Sequence, residues 1–344
     1  MKFIPNMSVN TNPFLTSTYT HVWLSHFHKG EQVFDFGFIR GLKFVKKPGK
    51  PLYVNCCGRD SKAMAYRLEN HGVQQPRRKV FLIYDVPSNW PSPEASGKLR
   101  LKKSRQYPGF LCNLEKYESL DQYMAAHLSG KTRNKFRRYR RKLEADFDIS
   151  YQTHTGPMER ADFDLLFDRF HALLRKRFEQ KQTVNNNLFE HEWRFYKDAA
   201  FAMLNDNHAA LSVVYDKDQP IAFSLLLLKG PHAYDTLRTF DIAYASYRLG
   251  TVSIMALLEW CFRNGIDKLD FAKGYFSYKA QWANEAYHYD YHILYDPHSL
   301  YCRLWAGYLR VYYSLKQWLR DRRVNEKFHR VAFGMKKIIA FASP

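Results

Sequence analysis

Hydrophobic and polar positions alternate in two rhythms along the chain. From residue 33 to 84, short runs rich in aromatic and β-branched residues are separated by turns. Phe34–Ile39, Leu42–Val45, Leu52–Cys56 and Val80–Tyr84 are predicted strands. Ser61–Glu69 reads as a short helix stopped near Gly72, Asn89–Gly97 as a turn-rich loop, and Gly109–Leu114 as a strand. Ser119 with Gln122 three residues on is a capping-box start for a helix. Phe136, Tyr139 and Leu143 then mark the apolar edge of a second helix. Beyond a strand at Phe147–Tyr151, the 3.6-residue period governs Ala161–Phe178 (Leu166, Phe170, Leu173, Leu174) and Glu190–Leu204 (Trp193, Tyr196, Ala200), with a polar loop at 180–187 between them. Ala209–Val214 and Ile221–Leu228 form a hairpin, and the apolar character of the second strand, broken only by Ser224, suits the middle of a sheet. Ala233–Phe240 is the next strand, followed by a loop to Gly250. A helix starts at Thr251 or Val252 and ends at Asn264-Gly265, with a strand through Ile266, Leu269 and Phe271 after it. Residues 287–295 close a sheet, and residues 298–344 read as a helical tail with Leu304, Tyr308, Val311 and Leu315 on one stripe.

This mixture is α/β with mixed (α+β) sheets, and 344 residues favour two domains. The expected division is an arm at 1–18, a first domain at 19–145 ending in a basic helix, a second at 146–297, and the basic aromatic tail at 298–344. The net charge of +20 implies an acidic partner: nucleic acid, anionic lipid or a phosphate-bearing substrate. Eight cations, Lys131, Arg133, Lys135, Arg137, Arg138, Arg140, Arg141 and Lys142, crowd the outer face of the helix that carries Phe136. A solvated face and an anion-facing surface both fit that run. The apolar stretch at Ile221–Leu228 is far short of the ~20 residues that cross a bilayer, and the N-terminus has no apolar core of a secretion signal. Five cysteines without a CxxC argue against a disulfide framework or zinc site, and His21, His26 and His28 lack partners spaced to complete a metal set. The expectation is a cytoplasmic protein with no tightly bound cofactor. The tail either docks on the body of the protein or touches the inner face of an anionic membrane.

The candidate chemistry centres on Arg238–Trp282. A strand feeding Arg248-Leu249-Gly250-Thr251-Val252 at a helix start is a phosphate-binding arrangement, because the first amides of a helix lack internal partners and the dipole favours an anion. An ordinary strand-to-helix turn has the same pattern, so context must decide. Asp241, Tyr244, Gly250, Thr251, Gly265, Asp270, Phe271, Gly274, Tyr278, Lys279 and Trp282 together resemble the second half of the two-domain GNAT acyltransferases. That group includes CelD/BcsL-like acetyltransferases and, more distantly, FemAB aminoacyl transferases and arginyl-tRNA–protein transferases. The resemblance extends more weakly over 110–295, and it includes a basic helix just before the second domain. It implies tandem GNAT-like domains, the second one complete.

The resemblance further implies transfer of an acyl group from acyl-CoA or acyl-carrier protein to an amine or hydroxyl of a sugar, lipid precursor or cell-envelope component, as in polysaccharide biosynthesis. A Fem-type or arginyl-type transferase using aminoacyl-tRNA is the alternative, and a non-enzymatic nucleic-acid-binding protein ranks last. Residues 248–252 would hold the donor. Asp241, Tyr244 and Lys279 are the catalytic candidates, with Tyr275 and His288 as other possible bases. Arg238, Asp270, Lys273, Tyr278, Trp282, Arg137 and Arg141 would face the substrate.

Overall fold

The computed structural model describes residues 12–58, 61–69, 77–90 and 99–322. In chain order these form α1 (Ser17–Phe27), β1 (Val33–Asp35), β2 (Ile39–Arg40), β3 (Lys43–Lys46), β4 (Leu52–Asn55), β5 (Arg67–Leu68), β6 (Val80–Pro87) and β7 (Arg100–Asn113). Then come α2 (Leu120–His127), α3 (Gly130–Asp146), β8 (Ile149–Thr155), α4 (Arg160–Gln180), α5 (Glu190–Asn205), β9 (Ala209–Asp216), β10 (Gln219–Lys229) and β11 (His232–Phe240). A 3₁₀ turn at Ile242–Tyr247 leads to α6 (Leu249–Arg263), β12 (Lys268–Lys273), α7 (Ser277–Trp282), β13 (Glu285–Tyr295) and α8 (Leu300–Asp321). Most predicted elements are present within a few residues. The first residues of the expected arm, most of the 89–97 loop and the tail beyond 322 lie outside the described residues.

The chain divides into two compact units. One is built on the chain up to Leu111 with Ala272–Ala280 and Glu285–Asp321, the other on Cys112–Phe271 with Gln281–Asn284. This division differs from the expected one: Ala272–Ala280, expected in the second domain, and helix α8, expected as a separate tail, belong to the first unit, and α2 belongs to the second. Helix α3, expected to end the first domain, is part of the second unit, where Leu143 is buried beside Val214, Leu249 and Val252. Strand β13, expected to close the second sheet, is part of the first unit, because both its edges are taken there by β6 and β7.

In the first unit the strands run β1-β3-β4-β6-β13-β7, with β4 and β6 parallel and the other neighbours antiparallel. Successive side chains of β6 point to opposite faces. Phe81 joins an aromatic cluster with Phe36, Phe38, Phe44 and Tyr53. Val80 and Leu82 face the buried side of α8, which contributes Cys302, Ala306, Leu309 and Tyr313. The small residues Cys302 and Ala306 let the helix approach closely, and Tyr313 stacks on Tyr291 at 3.8 Å. The stripe Leu304 to Leu315, for which docking on the body and contact with a membrane were the two expectations, is the opposite, exposed face. The helix expected at 61–69 is absent. Ala63 to Tyr66 are buried without regular secondary structure, the Met64 amide donates to the Asp85 carbonyl, and β5 pairs with β2. Elements that were not expected include α1, capped by the Thr16 hydroxyl, the N-terminal half of β7, and α7.

In the second unit the order is β12-β11-β10-β9-β8, with β11 and β12 parallel and the rest antiparallel. Strand β10 is covered on both faces, which explains its apolar run, broken only by Ser224. Phe223 stacks on Phe170 of α4 at 4.9 Å, while Ile221 and Ala222 pack with Leu249 and Val252 of α6.

Candidate active site

Strands β11 and β12 pair over three residues only, from His232↔Lys268 to Tyr234↔Asp270. Strand β11 then continues to Phe240, still paired to β10. Its register slips opposite Leu225/Leu226, so Thr236 is an extra residue; such a bulge sharpens local twist and bends the strand. The parallel strands therefore part after Tyr234 and Asp270. An open segment of β11 backbone leads toward the start of α6, the location where open parallel sheets hold ligands.

Arg238, on that open segment, donates to Asp235 at 3.0 Å and to the Ser253 hydroxyl in the first turns of α6 at 3.3 Å. Asp241 ends β11 and caps the 3₁₀ turn by accepting from the Ala243 amide at 3.1 Å. It also pairs with Lys176 at 3.0 Å and Arg169 at 3.5 Å. Burial works to raise its pKa, but the amide and the two cations outweigh it and hold the carboxyl below the usual range. Asp241 thus ties α4 to the loop as a fixed anion. Tyr244 donates to Asp216 at 2.6 Å; burial first, then that carboxylate, push its pKa up to about 12. The Tyr244 proton is therefore held near neutrality, while Asp241 stays ionised and paired.

Arg248 adopts the left-handed conformation (φ 58°, ψ 37°) with its side chain exposed, and α6 begins at Leu249, earlier than expected. The amides of Thr251 and Val252 donate back to the Arg248 carbonyl at 2.7 and 3.2 Å. The amides of Leu249 and Gly250 come before the first intrahelical bond and are the donors the helix itself leaves open. Leu249 and Val252 point into the core. Gly250 is required by a protein contact: a Cβ there would meet the Phe240 ring at 2.8 Å. The Arg177 guanidinium lies 4.2 Å from the centre of that same ring.

Other expected substrate residues of this unit lie elsewhere within it. Trp282 is buried, stacked on Phe136 at 4.9 Å, and its carbonyl accepts from Tyr123 and the Cys112 thiol. Its role is to fasten α3. Asp270 is buried on β12 at the point where the strands part. Arg137 and Arg141 line a cleft of about 560 Å³ bordered by α2, α3 and α6, with Leu120, Met124 and Met255 as its apolar part. Arg137 pairs with Asp121 at 2.8 Å, and Arg140 beside it pairs with Glu144 and Glu259 at 2.8 and 2.6 Å. Arg141 is exposed.

Lys273, Tyr278 and Lys279 belong to the first unit. Lys273 pairs with buried Asp85 at 2.6 Å, and Tyr278 is in ring contact with Phe276. Lys279 is only 5% exposed and donates to the carbonyls of Lys273 and Ala272 at 3.0 and 3.3 Å. It is a buried cation closing the end of β12, where the sequence offered only a surface or ligand-holding lysine. Sequence reasoning missed Asp235, Ser253 and the bulge at Thr236, since a register slip leaves no residue signature; the Arg238–Asp235 spacing of three was the one available hint. Tyr275 is exposed on the first unit, and His288 contacts Asp290 at 3.5 Å.

Comparison with known proteins agrees with this geometry. Residues 130–280 match the family model described as "Acetyltransferase (GNAT) domain". Comparison with curated proteins by sequence returns no match. Among solved structures, FemX is similar at a TM-score of 0.53 and 9% identity, over 83% of this chain and 93% of that one. The C-terminal domain (DUF2156) of a putative lysylphosphatidylglycerol synthetase from Agrobacterium fabrum is similar at 0.50 and 10% identity, over 84% and 95%. At such identities the likeness is one of fold. The GNAT match over residues 130–280, the span that holds the parted parallel strands and the helix between them, supports an acyltransferase. Residues 130–280 are a GNAT domain, and the chain as a whole is similar in fold to FemX.

Proposed function

We propose that the protein moves an acyl group from acyl-CoA or an acyl-carrier protein to an amine or hydroxyl of a sugar, lipid precursor or cell-envelope component. The observation that supports this most is the parting of β11 and β12 after Tyr234 and Asp270, with the start of α6 at the end of the same β11. In this reading the donor's pyrophosphate or phosphopantetheine phosphate meets the amides of Leu249 and Gly250 and the Arg248 side chain. The thioester lies along the open edge of β11, whose amides stabilise the oxyanion. The acceptor's lone pair forms the new C–N or C–O bond, the C–S bond breaks, and the acceptor's proton leaves with the thiolate or to solvent.

Arg248→Gly tests the donor site cleanly. Glycine suits the left-handed backbone there, so folding is retained while the cation is removed. Titration with CoA is expected to show roughly a tenfold weaker affinity, about 1.4 kcal/mol. Unchanged affinity in a folded variant refutes the assignment.

The basic face of α3 and the arginine-lined cleft favour a second reading, with aminoacyl-tRNA as the donor. Parallel assays with radiolabelled acyl-CoA and charged tRNA separate the two. Transfer from neither rejects both.

A further inference from the structure

Helix α8 presents two apolar faces. The inner one packs in the first unit through Cys302, Ala306, Leu309 and Tyr313. The outer one holds Tyr301, Leu304, Tyr308, Val311, Leu315 and Trp318, spaced 3-4-3-4-3 and between 47% and 67% exposed. Leu300 and Tyr312 widen it. An apolar stripe five turns long facing water is costly, and its size marks a contact surface.

The charges beside the stripe indicate what covers it. Arg303 and Arg310 flank one side and are exposed. Lys50 lies 5.3 Å from the ring of Trp305 on the other side, and Lys102 lies 5.3 Å from the ring of Tyr295 on the strand beneath. From Leu300 to Arg320 the helix has no acidic residue; Asp321 comes at its very end, held by Gln317 at 2.8 Å. Two copies joined along this stripe would bring like charges together with no acidic partners. The residues that follow in sequence, 323–344, carry five Lys or Arg against one Glu, a net positive charge, so they too lack the complementary sign. An apolar band of Leu, Tyr, Val and Trp between cations, on a helix anchored by its other face, fits the plane between anionic headgroups and acyl chains.

We infer that the outward face of α8 docks the protein on an anionic lipid bilayer. The stripe enters the interface, Tyr308 and Trp318 sit at headgroup depth, and the flanking cations pair with lipid phosphates. This goes beyond the transfer reaction and does not depend on which donor the enzyme uses.

The test is co-sedimentation of the full chain with phosphatidylcholine vesicles, and with vesicles of equimolar phosphatidylcholine and phosphatidylglycerol. The protein is expected to pellet with the anionic vesicles and to stay in solution with the neutral ones, with binding weakened between about 50 and about 500 mM salt. Both Tyr308 and Val311 are exposed, so the double variant Tyr308→Asp/Val311→Asp is expected to keep its thermal midpoint and lose binding roughly tenfold or more. Arg303→Glu/Arg310→Glu is expected to lose the preference for anionic vesicles. Failure of the wild-type chain to pellet overturns the inference, as does undiminished binding by the Asp variant. A wild-type dimer that Val311→Asp dissociates, with no vesicle binding by either, makes the stripe a self-association seam and overturns it as well.

Discussion

Lys279 shows how a side chain's surroundings set its role. A buried ammonium is tolerated only when its donors are filled, and here the carbonyls at the end of β12 fill them. Lys279→Met keeps the length and removes the charge, leaving those carbonyls without their donor. The expected loss is about 1–3 kcal/mol for a carbonyl left buried and unpaired, measured by chemical denaturation. A variant as stable as wild type but inactive would return Lys279 to the role of a ligand-binding group. The lysine was legible as notable because it stands in a Tyr-Lys-x-x-Trp pattern. Its burial was not, because the carbonyls it caps are set by where the chain turns after β12.

At the scale of elements, the contact that positions α6 is Phe240 over Gly250. Strand β11 and helix α6 approach there without room for a Cβ. Gly250→Ala is expected to cost about 1–3 kcal/mol, in the range of overpacked sites. Combining it with Phe240→Leu should recover part of that loss, because the ring edge that meets the new methyl is gone. A double variant that is simply additive in denaturation midpoints would show that the two residues do not communicate. The glycine was visible in the sequence, but its reason was not, since the ring that demands it lies ten positions earlier. The helix N-cap at Ser119 was fully legible because capping is local: its hydroxyl accepts from the Gln122 amide at 3.3 Å. The Gln122 side chain returns to the Glu118 amide rather than to Ser119, which only the turn geometry decides. The stripe on α8 was equally legible as a period. Which stripe faces inward depended on the sheet it meets.

For the molecule as a whole, pH response follows from its buried imidazoles. Burial, helped by Lys103, holds the pKa of His292 down to about 3. Burial, helped by Lys268, holds His232 down to about 4. An unfolded imidazole titrates near ~6.5. Below that pH the unfolded chain takes up protons that these two sites refuse. The stability they contribute is whole above about 6.5 and falls as pH drops toward the folded values. Each site lowers stability by about 1.4 kcal/mol per pH unit over that range. The thermal midpoint should therefore fall steeply between about pH 6 and about pH 4.5. His292→Gln should flatten the slope, and an unchanged slope would mean that His292 is not the group responsible.

The sequence by itself determined the elements whose causes are local: capped helix starts, the glycine stop after α6, the apolar run of β10 and the cationic face of α3. These depend on neighbours a few residues away, so a linear pattern contains them. The tertiary structure alone decided that β11 and β12 part after three pairs, that β13 joins the first unit, that Trp282 and Lys279 are buried, and that α8 turns its longer stripe to water. Each of these depends on atoms brought together from distant positions, and the free energy that selects among them is that of packing and burial, which no short window of residues expresses.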